Sequence, residues 1–260
     1  MLSLKDIESY FPDNMKGFKN SILREYIQCK ILEILFDSQI GSKITFIGGT
    51  ALRILYNTGR FSMDLDFDSF DLNQNEFVEA SQRVKKKLEL EGLKIEIETK
   101  VNKKTFHYRI KIPNILYSNE LTSHINEKML IKVDTEPQGF KYTPEKKLLS
   151  KFDVLTHINV ASIDILLSMK INAVFTRKRT QGRDFYDIVF LINKTKPNYN
   201  FLKLKLGIDN SSLLRERLLL KCKELNFEQL AKDLESLVFN PNDFKKVILF
   251  PELIKETEFL

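Results

Sequence analysis

The chain has 260 residues, 43% of them hydrophobic and 29% charged, which is enough to bury one large core or two smaller ones. This composition excludes a disordered tail, and only two cysteines exclude a disulfide scaffold, so Cys29 and Cys222 are predicted to be reduced, buried thiols. The net charge of +6 is too small to establish nucleic-acid binding on its own.

The first half of the chain alternates between helical and strand-like hydrophobic patterns. Helices are predicted at residues 21–36, 51–56 and 73–90, and strands at residues 44–47, 63–67 and 129–134. Residues 93–112 alternate apolar and polar side chains around a turn at residues 102–104, which predicts a β-hairpin or a pair of adjacent antiparallel strands. The interval 138–159, which contains Pro144, is predicted to be a loop.

The second half is mainly helical. Helices are predicted at residues 163–175, 184–191, 213–225, 227–237 and 243–254. The chain is therefore predicted to be an α+β protein, with a mixed-sheet domain at residues 1–150 and a helical domain at residues 151–260. The helical domain is expected to complete an active-site cleft, because ligand sites favour domain boundaries.

The most informative motif joins a glycine turn to an acidic strand. Gly48, Gly49 and Thr50 follow the apolar strand at residues 44–47, and Asp64 and Asp66 alternate with apolar neighbours. Since strand side chains alternate between faces, the two carboxylates share one face with Cα atoms roughly 7 Å apart, close enough to bind a metal ion together. The glycines allow close approach of a phosphate to a helix N-terminus.

Each part of this motif also has a purely structural interpretation. An acidic alternation is often a solvated edge strand, a Gly-Gly pair is often only a turn, and Thr50 is expected either to cap the helix or to contact phosphate. Asp134 lies on another predicted strand, where it is expected either to bind metal or to act as a general base. Taken together, the predicted metal ligands are Asp64, Asp66 and Asp134.

Residues 48–67, GGTALRILYNTGRFSMDLDF, resemble the signature of the AbiEii/AbiGii toxin family. These are nucleotidyltransferase-like toxins of bacterial toxin–antitoxin systems, and they include the MenT toxins. Later segments match in order: IKVD at residues 131–134, SMK at 168–170 and RDFYD at 183–187. The resemblance extends from about residue 44 to about residue 193.

The resemblance implies a fold and an activity. The fold is expected to be polymerase-β-like, with a helical C-terminal domain. The enzyme is expected to bind Mg²⁺ and an NTP and to move the NMP to an acceptor hydroxyl, with release of pyrophosphate. RNA, particularly the tRNA 3′ end, is the expected acceptor, and a separately encoded antitoxin protein or regulator is the expected partner.

The resemblance also assigns roles in the second half of the chain. Lys170 lies on an otherwise apolar helix, so it must either reach solvent or meet an anion, and the family favours triphosphate binding. Asp184 is expected to position that lysine or the nucleophile, although helix capping is the structural alternative. Asp187 is expected to support Asp184, and Arg177 and Arg183 to contact the nucleotide.

Two rival functions remain open from the sequence. One is NMP transfer to a protein hydroxyl on the same site, and the other is a metal-dependent nuclease or nucleic-acid-binding module that uses the same carboxylates. The basic clusters at residues 85–87, 103–104 and 177–179 are either phosphate contacts or solvated surface. The histidines His107, His124 and His157 are scattered and lack zinc-ligand spacing.

No membrane partner is expected. The N-terminal residues lack the continuous apolar core of a secretory signal, and no apolar stretch is long enough to span a bilayer. The cytoplasm is therefore the expected location.

Overall fold

The computed structural model describes residues 1–101 and 105–259. These residues form two compact units. The first unit comprises Met1–Tyr56, Phe61–Gly139 and Thr143–Val160; the second comprises Asn57–Arg60, Phe140–Tyr142 and the residues from Ala161. The predicted hairpin turn at residues 102–104 and the basic cluster at residues 103–104 lie outside the described residues. Cys29 and Cys222 are buried free thiols.

The first unit is built on a mixed β-sheet. Its strands are β1 (Ile44–Ile47), β2 (Leu65–Ser69), β3 (Glu96–Val101), β4 (Phe106–Pro113), β5 (Lys128–Thr135), β6 (Glu145–Lys151) and β7 (Val154–Val160). The described residues form seven strands in the order β3-β4-β5-β2-β1-β7-β6. β2–β5 and β1–β7 are parallel pairs, and the other neighbours are antiparallel. The predicted α+β class is confirmed.

Helices cover one face of this sheet. They are α1 (Leu4–Glu8), α2 (Lys19–Phe36), α3 (Gly48–Tyr56), α4 (Gln74–Leu90) and α5 (Ile115–Ser118). α2 contacts β5 and β7, whereas α4 contacts β3 and β4. α4 begins at a capping box in which Asn73 and Glu76 each accept a hydrogen bond from the other's backbone N–H at 3.0 Å.

Alternation along β4 and β5 separates the two faces of the sheet. Phe106, Tyr108 and Ile110 are buried on β4, and Ile131 and Val133 are buried on β5. The intervening side chains, together with their register partners on β2 and β3, form what we call the polar face. It comprises Asp66, Glu98, Lys100, His107, Arg109, Lys132 and Asp134.

The loop predicted at residues 138–159 is wrong, because β6 and β7 form a hairpin there. β7 buries Val154, Thr156, Ile158 and Val160 in alternation and joins β1 in parallel. β6 is an edge strand rich in charged side chains, a pattern that protects edges from unwanted pairing but hides the strand from a search for apolar alternation. The first unit thus continues to Val160, past the predicted boundary near residue 150.

The second unit is helical as far as it is described. Its helices are α6 (Ile163–Thr176), α7 (Gly182–Ile192), α8 (Tyr199–Leu206), α9 (Ser211–Lys223), α10 (Phe227–Lys232), α11 (Lys245–Ile248) and α12 (Phe250–Glu256). The predicted helix at residues 243–254 is broken because Pro251, which lacks an N–H, starts a new helix. α8 was not predicted; Asn198 caps it and Gly207, at φ +69°, ends it. None of the described helices combines the length and apolar character needed to cross a membrane.

Candidate functional site

Two acidic residues lie side by side on the polar face of the first unit, and a third comes just before β2. Leu65 and Phe67 are buried in the core, so Asp66 between them faces the other side of the sheet. Asp64 precedes β2, which begins at Leu65 and not at the predicted residue 63; both carboxylates are half-buried. In the parallel β2–β5 pair, Asp66 lies directly beside Asp134. Neighbouring strands are about 4.8 Å apart, so these two carboxylates occupy adjacent positions. Strand pairing thus places Asp66 next to Asp134. The metal-ligand roles of Asp64, Asp66 and Asp134 stay predictions.

Gly48 makes room for the carboxylate of Asp66. Gly48 has φ +79°, and a Cβ built there would lie 3.0 Å from both Cβ and Cγ of Asp66 and would overlap its Oδ2. Ile47 is the register partner of Asp66 on β1, so Asp66 projects over the end of that strand. The first glycine of the motif is thus required by the neighbouring acidic side chain as well as by backbone conformation.

We expect Gly48→Ala to displace Asp66 and to lower the rate of the reaction at this site by about a hundredfold, the typical effect of moving a catalytic group by an ångström. Gly92→Ala is the matched control, since Gly92 also has a positive φ (+89°) but an added Cβ meets nothing within 4 Å. Both substitutions carry a similar backbone strain of about 1–2 kcal/mol. Equal activity of the two variants would contradict this account of Gly48.

The sequence predicts that Thr50 caps the helix or contacts phosphate. It does not cap the helix, because α3 already begins at Gly48. Its side chain is buried, and its hydroxyl donates a hydrogen bond to the backbone carbonyl of Asp64. Gln28, also buried, donates from Nε2 to the carbonyls of Ser62 (3.1 Å) and Met63 (2.9 Å). These bonds fix the backbone that leads into β2, and contact between Thr50 and a nucleotide stays a prediction.

The polar face continues from Asp134 into a recess of about 400 Å³ between β3, β4 and β5. It is lined by Glu98, Thr99, Lys100, His107, Arg109, Lys132 and Asp134. His107 Nδ1 lies 2.9 Å from Asp134 Oδ1. Glu98 forms an ion pair with Lys111, and that hydrogen bond lowers the pKa of the Glu98 carboxyl. The carboxylates therefore lie beside a group of cationic side chains.

The acidic residues suit a magnesium ion in part. Across residues 1–101 and 105–259, no three His, Cys, Asp or Glu side chains form a complete metal-binding group. Mg²⁺, however, is usually held by one or two carboxylates together with substrate phosphates and water. Asp66 and Asp134 lie at adjacent positions and carry oxygen atoms of the kind that Mg²⁺ prefers. Metal binding by these carboxylates stays a prediction.

A second group of charged residues is buried within the helical unit. Lys170 Nζ lies 2.8 Å from Asp187 Oδ2 and 3.4 Å from Asp184 Oδ1. Arg60 binds Asp187 through two hydrogen bonds, of 2.7 Å from Nε and 2.6 Å from Nη2. We call Arg60, Lys170, Asp184 and Asp187 the buried charge cluster. Lys170 therefore forms ion pairs with buried carboxylates of its own chain. Its charge is compensated although the rest of its helix is apolar.

Asp184 lies in the first turn of α7, whose N-cap is Gln181, so Asp184 is not the capping residue. Arg177 Nε lies 2.9 Å from Asp184 Oδ2 in an ion pair without hydrogen-bond alignment, and its side chain is 41% exposed. Arg183 is half-buried. Nucleotide contacts of Lys170, Arg177 and Arg183 stay predictions.

Burial of the Asp187 carboxylate opposes its ionisation, but the nearby Arg60 and Lys170 outweigh this and hold its pKa below the ordinary 3.8. Asp187 is thus a carboxylate at neutral pH although it is fully buried.

Residues 30–245 match the family described as Nucleotidyl transferase AbiEii toxin, Type IV TA system. The chain belongs to the AbiEii family. The match extends beyond residues 44–193, where the sequence signature was recognised, and confirms that resemblance. AbiEii proteins are nucleotidyltransferase toxins of type IV toxin–antitoxin systems. None of the curated proteins matches this chain.

Solved structures support the nucleotidyltransferase fold of this AbiEii chain. JHP933 from Helicobacter pylori has a TM-score of 0.57 and 18% sequence identity, with 90% of each chain covered. A second H. pylori protein, provisionally described as a nucleotidyltransferase, has a TM-score of 0.56 and 19% identity, with 90% of this chain and 94% of the other covered. At these identities the likeness concerns the fold alone.

Two residues of the AbiEii chain that the sequence analysis did not select have prominent places in the structure. His107 is one of three histidines that are scattered in the sequence, yet strand pairing places it beside Asp134. Arg60 lies inside the family motif but was given no role, and it is fully buried against Asp187. A signal for His107 existed in the alternation of β4, but its partner depended on the strand register.

Proposed function

We propose that this protein is a Mg²⁺-dependent nucleotidyltransferase that moves NMP from an NTP to a hydroxyl of an RNA acceptor, with the tRNA 3′ end as the preferred position, and releases pyrophosphate. The observation that supports this most strongly is the placement of Asp66 beside Asp134 and next to the Gly48 turn. A toxin of this family acts against its own cell, so we further propose a cognate antitoxin as its partner.

In the proposed mechanism Asp64 and Asp66 would hold the metal ions, and Asp134 would either complete the ligand set or accept the proton of the attacking hydroxyl. Bound Mg²⁺ would supply charge neutralisation for the entering and leaving oxygens. The backbone turn at Gly48 and Gly49 is proposed to approach the triphosphate. Thr50 and Gln28 hold the backbone of residues 62–64 that leads into β2, from which Asp64 and Asp66 project.

The charge of the polar face favours an RNA acceptor over a protein acceptor. Lys111 already neutralises Glu98, whereas Lys100, Arg109 and Lys132 have no carboxylate within ion-pair distance among the residues that the structure describes. Unpaired cations in a row beside the carboxylates are suited to the repeated phosphates of a polynucleotide. The basic cluster at residues 85–87 has no comparable setting, since Lys85 faces Glu89 on the same helix at 3.8 Å.

We expect the double substitution Arg109→Gln and Lys132→Gln to raise the KM for RNA about tenfold or more while leaving the KM for NTP within about twofold. Each lost phosphate contact should also reduce the salt dependence of RNA binding by about one unit of slope. Lys86→Gln, on the exposed side of α4, is the control. An unchanged KM and salt slope in the double variant would contradict a role for these cations in acceptor binding.

The direct test of the proposed function is incubation of the protein with Mg²⁺, each α-phosphate-labelled NTP in turn, total tRNA and cell protein. Label on RNA, with release of pyrophosphate, is the expected result and identifies the nucleotide. Label on protein would instead support transfer to a side-chain hydroxyl. Shortened RNA without NTP dependence would reject the transferase and support a nuclease on the same carboxylates.

A further inference from the structure

His107 and Asp134 form a pair across two neighbouring strands. β4 and β5 run antiparallel, and His107 is the register partner of Asp134. Nδ1 of the imidazole lies 2.9 Å from Oδ1 of the carboxylate, at hydrogen-bond distance. The two side chains are 37% and 35% exposed, so core packing does not force this contact.

The contact determines what each side chain can offer to a third group. A carboxylate accepts hydrogen bonds and does not donate them, so the hydrogen of the pair belongs to Nδ1 of His107. Oδ1 of Asp134 is thereby directed toward the imidazole, and Oδ2 is the oxygen left for a metal ion or a hydroxyl. Carboxylate ligands of metals are commonly oriented by such hydrogen bonds, and loss of the orienting group typically lowers metal affinity or activity by about 10–100-fold.

The surroundings of the pair are polar and cationic. Lys100 on β3 is the register partner of His107. Arg109 on β4 and Lys132 on β5 are register partners two residues along from the His107–Asp134 pair. These cations are on the same face as Asp134 and attract the carboxylate as well. Without His107, the Asp134 side chain would be free to turn toward Lys132 or Arg109 and away from Asp66.

We propose that His107 is a positioning residue: its Nδ1–H holds Oδ1 of Asp134 so that Oδ2 is directed toward the metal ion or the attacking hydroxyl. The proposal rests on the proposed transferase function, because it assigns Asp134 to that reaction. It requires no proton transfer by the imidazole itself. Neither the family motif nor zinc-ligand spacing assigns a role to this histidine.

Two substitutions of equal size separate this role from simple packing. The Nδ2 of an asparagine corresponds in position to the Nδ1 of histidine, so His107→Asn keeps a donor to Asp134, whereas His107→Leu has nearly the same shape and no donor. We expect His107→Leu to lower kcat by about 10–100-fold with the KM for NTP little changed, and His107→Asn to stay within a few-fold of wild type. His124→Leu, in the exposed segment before β5, is the control.

Binding of Mn²⁺ alone, followed by calorimetry or by electron paramagnetic resonance, gives a readout that does not depend on turnover. We expect His107→Leu to weaken Mn²⁺ binding by about 10–100-fold and His107→Asn to restore it. Circular dichroism checks that both variants are folded.

Equal Mn²⁺ affinity and kcat in wild type and His107→Leu would overturn the proposal. Equal loss in the Leu and Asn variants would overturn it too, since the imidazole would then do more than donate this hydrogen bond. If wild type transfers no nucleotide, the proposed function fails, but the Mn²⁺ titrations still test the His107–Asp134 pair.

Discussion

Asp66→Asn is expected to lower nucleotide transfer by about a thousandfold or more, which corresponds to about 4 kcal/mol of lost transition-state stabilisation. Asp66 lies beside Asp134 on the parallel strand pair and over the Gly48 turn, so it is the central carboxylate of the group. Asparagine has nearly the same volume but loses the negative charge that a divalent ion requires. The measurement is the initial rate of label transfer at saturating NTP.

A metal-specificity switch separates a ligand role of Asp66 from a merely structural one. Asp66→Cys places a thiolate where Mg²⁺ prefers oxygen, so we expect no transfer in Mg²⁺ and partial recovery in Mn²⁺ or Cd²⁺, which accept sulfur more readily. Glu127→Gln, an exposed carboxylate just before β5, is the control and should transfer at the wild-type rate. Failure of every metal to restore the Cys variant, together with a normal rate in Asp66→Asn, would show that Asp66 is no ligand.

The sequence was sufficient to direct Asp66 and Asp134 away from the core, because that arrangement depends only on local alternation. Leu65 and Phe67 on β2, and Ile131 and Val133 on β5, are buried as their apolar character predicts, which directs the intervening acidic residues to the opposite face. Helix α4 was predicted nearly to the residue for the same reason, since Asn73 and Gly92 give local start and stop signals.

Features that depend on pairing between distant segments were not predictable in this way. The position of Asp134 beside Asp66 requires β5 to join β2 in parallel, and the His107 contact requires the β4–β5 register; neither leaves a local signal. Charged residues on the edge strand β6 mask its alternation. The internal strand β7 does alternate, with Val154, Thr156, Ile158 and Val160 buried, and is a strand that local alternation could have indicated. The ion pairs of Lys170 form only when α6, α7 and Arg60 pack together, so they could not be predicted locally. The apolar character of α6 indicated only that Lys170 needs an anionic partner.

The buried charge cluster leads to the largest expected effect on stability. Asp187→Asn removes a fully buried negative charge that compensates both Arg60 and Lys170, and leaves those cations with Asp184 as their remaining buried carboxylate. Breaking a buried ion pair in this way typically costs about 3–5 kcal/mol. We expect the urea-induced loss of helical circular dichroism at pH 7 to occur at a clearly lower urea concentration in Asp187→Asn than in wild type.

The control for this experiment is Asp209→Asn, which removes an exposed ion pair with Lys203 in the same unit. Exposed pairs contribute little to folding, so its unfolding curve should coincide with that of wild type.

A second comparison uses Arg60→Met combined with Asp187→Leu. If the two residues act as a pair, the double variant will be less destabilised than the sum of the two single variants. Strict additivity would contradict the pairing of Arg60 with Asp187.

The difference in unfolding free energy between wild type and Asp187→Asn should depend on pH, which provides an independent check. Burial opposes ionisation of the Asp187 carboxyl, but Arg60 and Lys170 lower its folded-state pKa below 3.8. Its contribution is fully present above the pKa of the unfolded chain and is lost as the pH falls through the lower pKa of the folded state. The gap in stability between wild type and Asp187→Asn should therefore be constant from pH 7 down to about 5 and should shrink below about pH 4. A gap that stays constant down to pH 2 would mean that Asp187 stabilises the helical unit through its shape, not its charge.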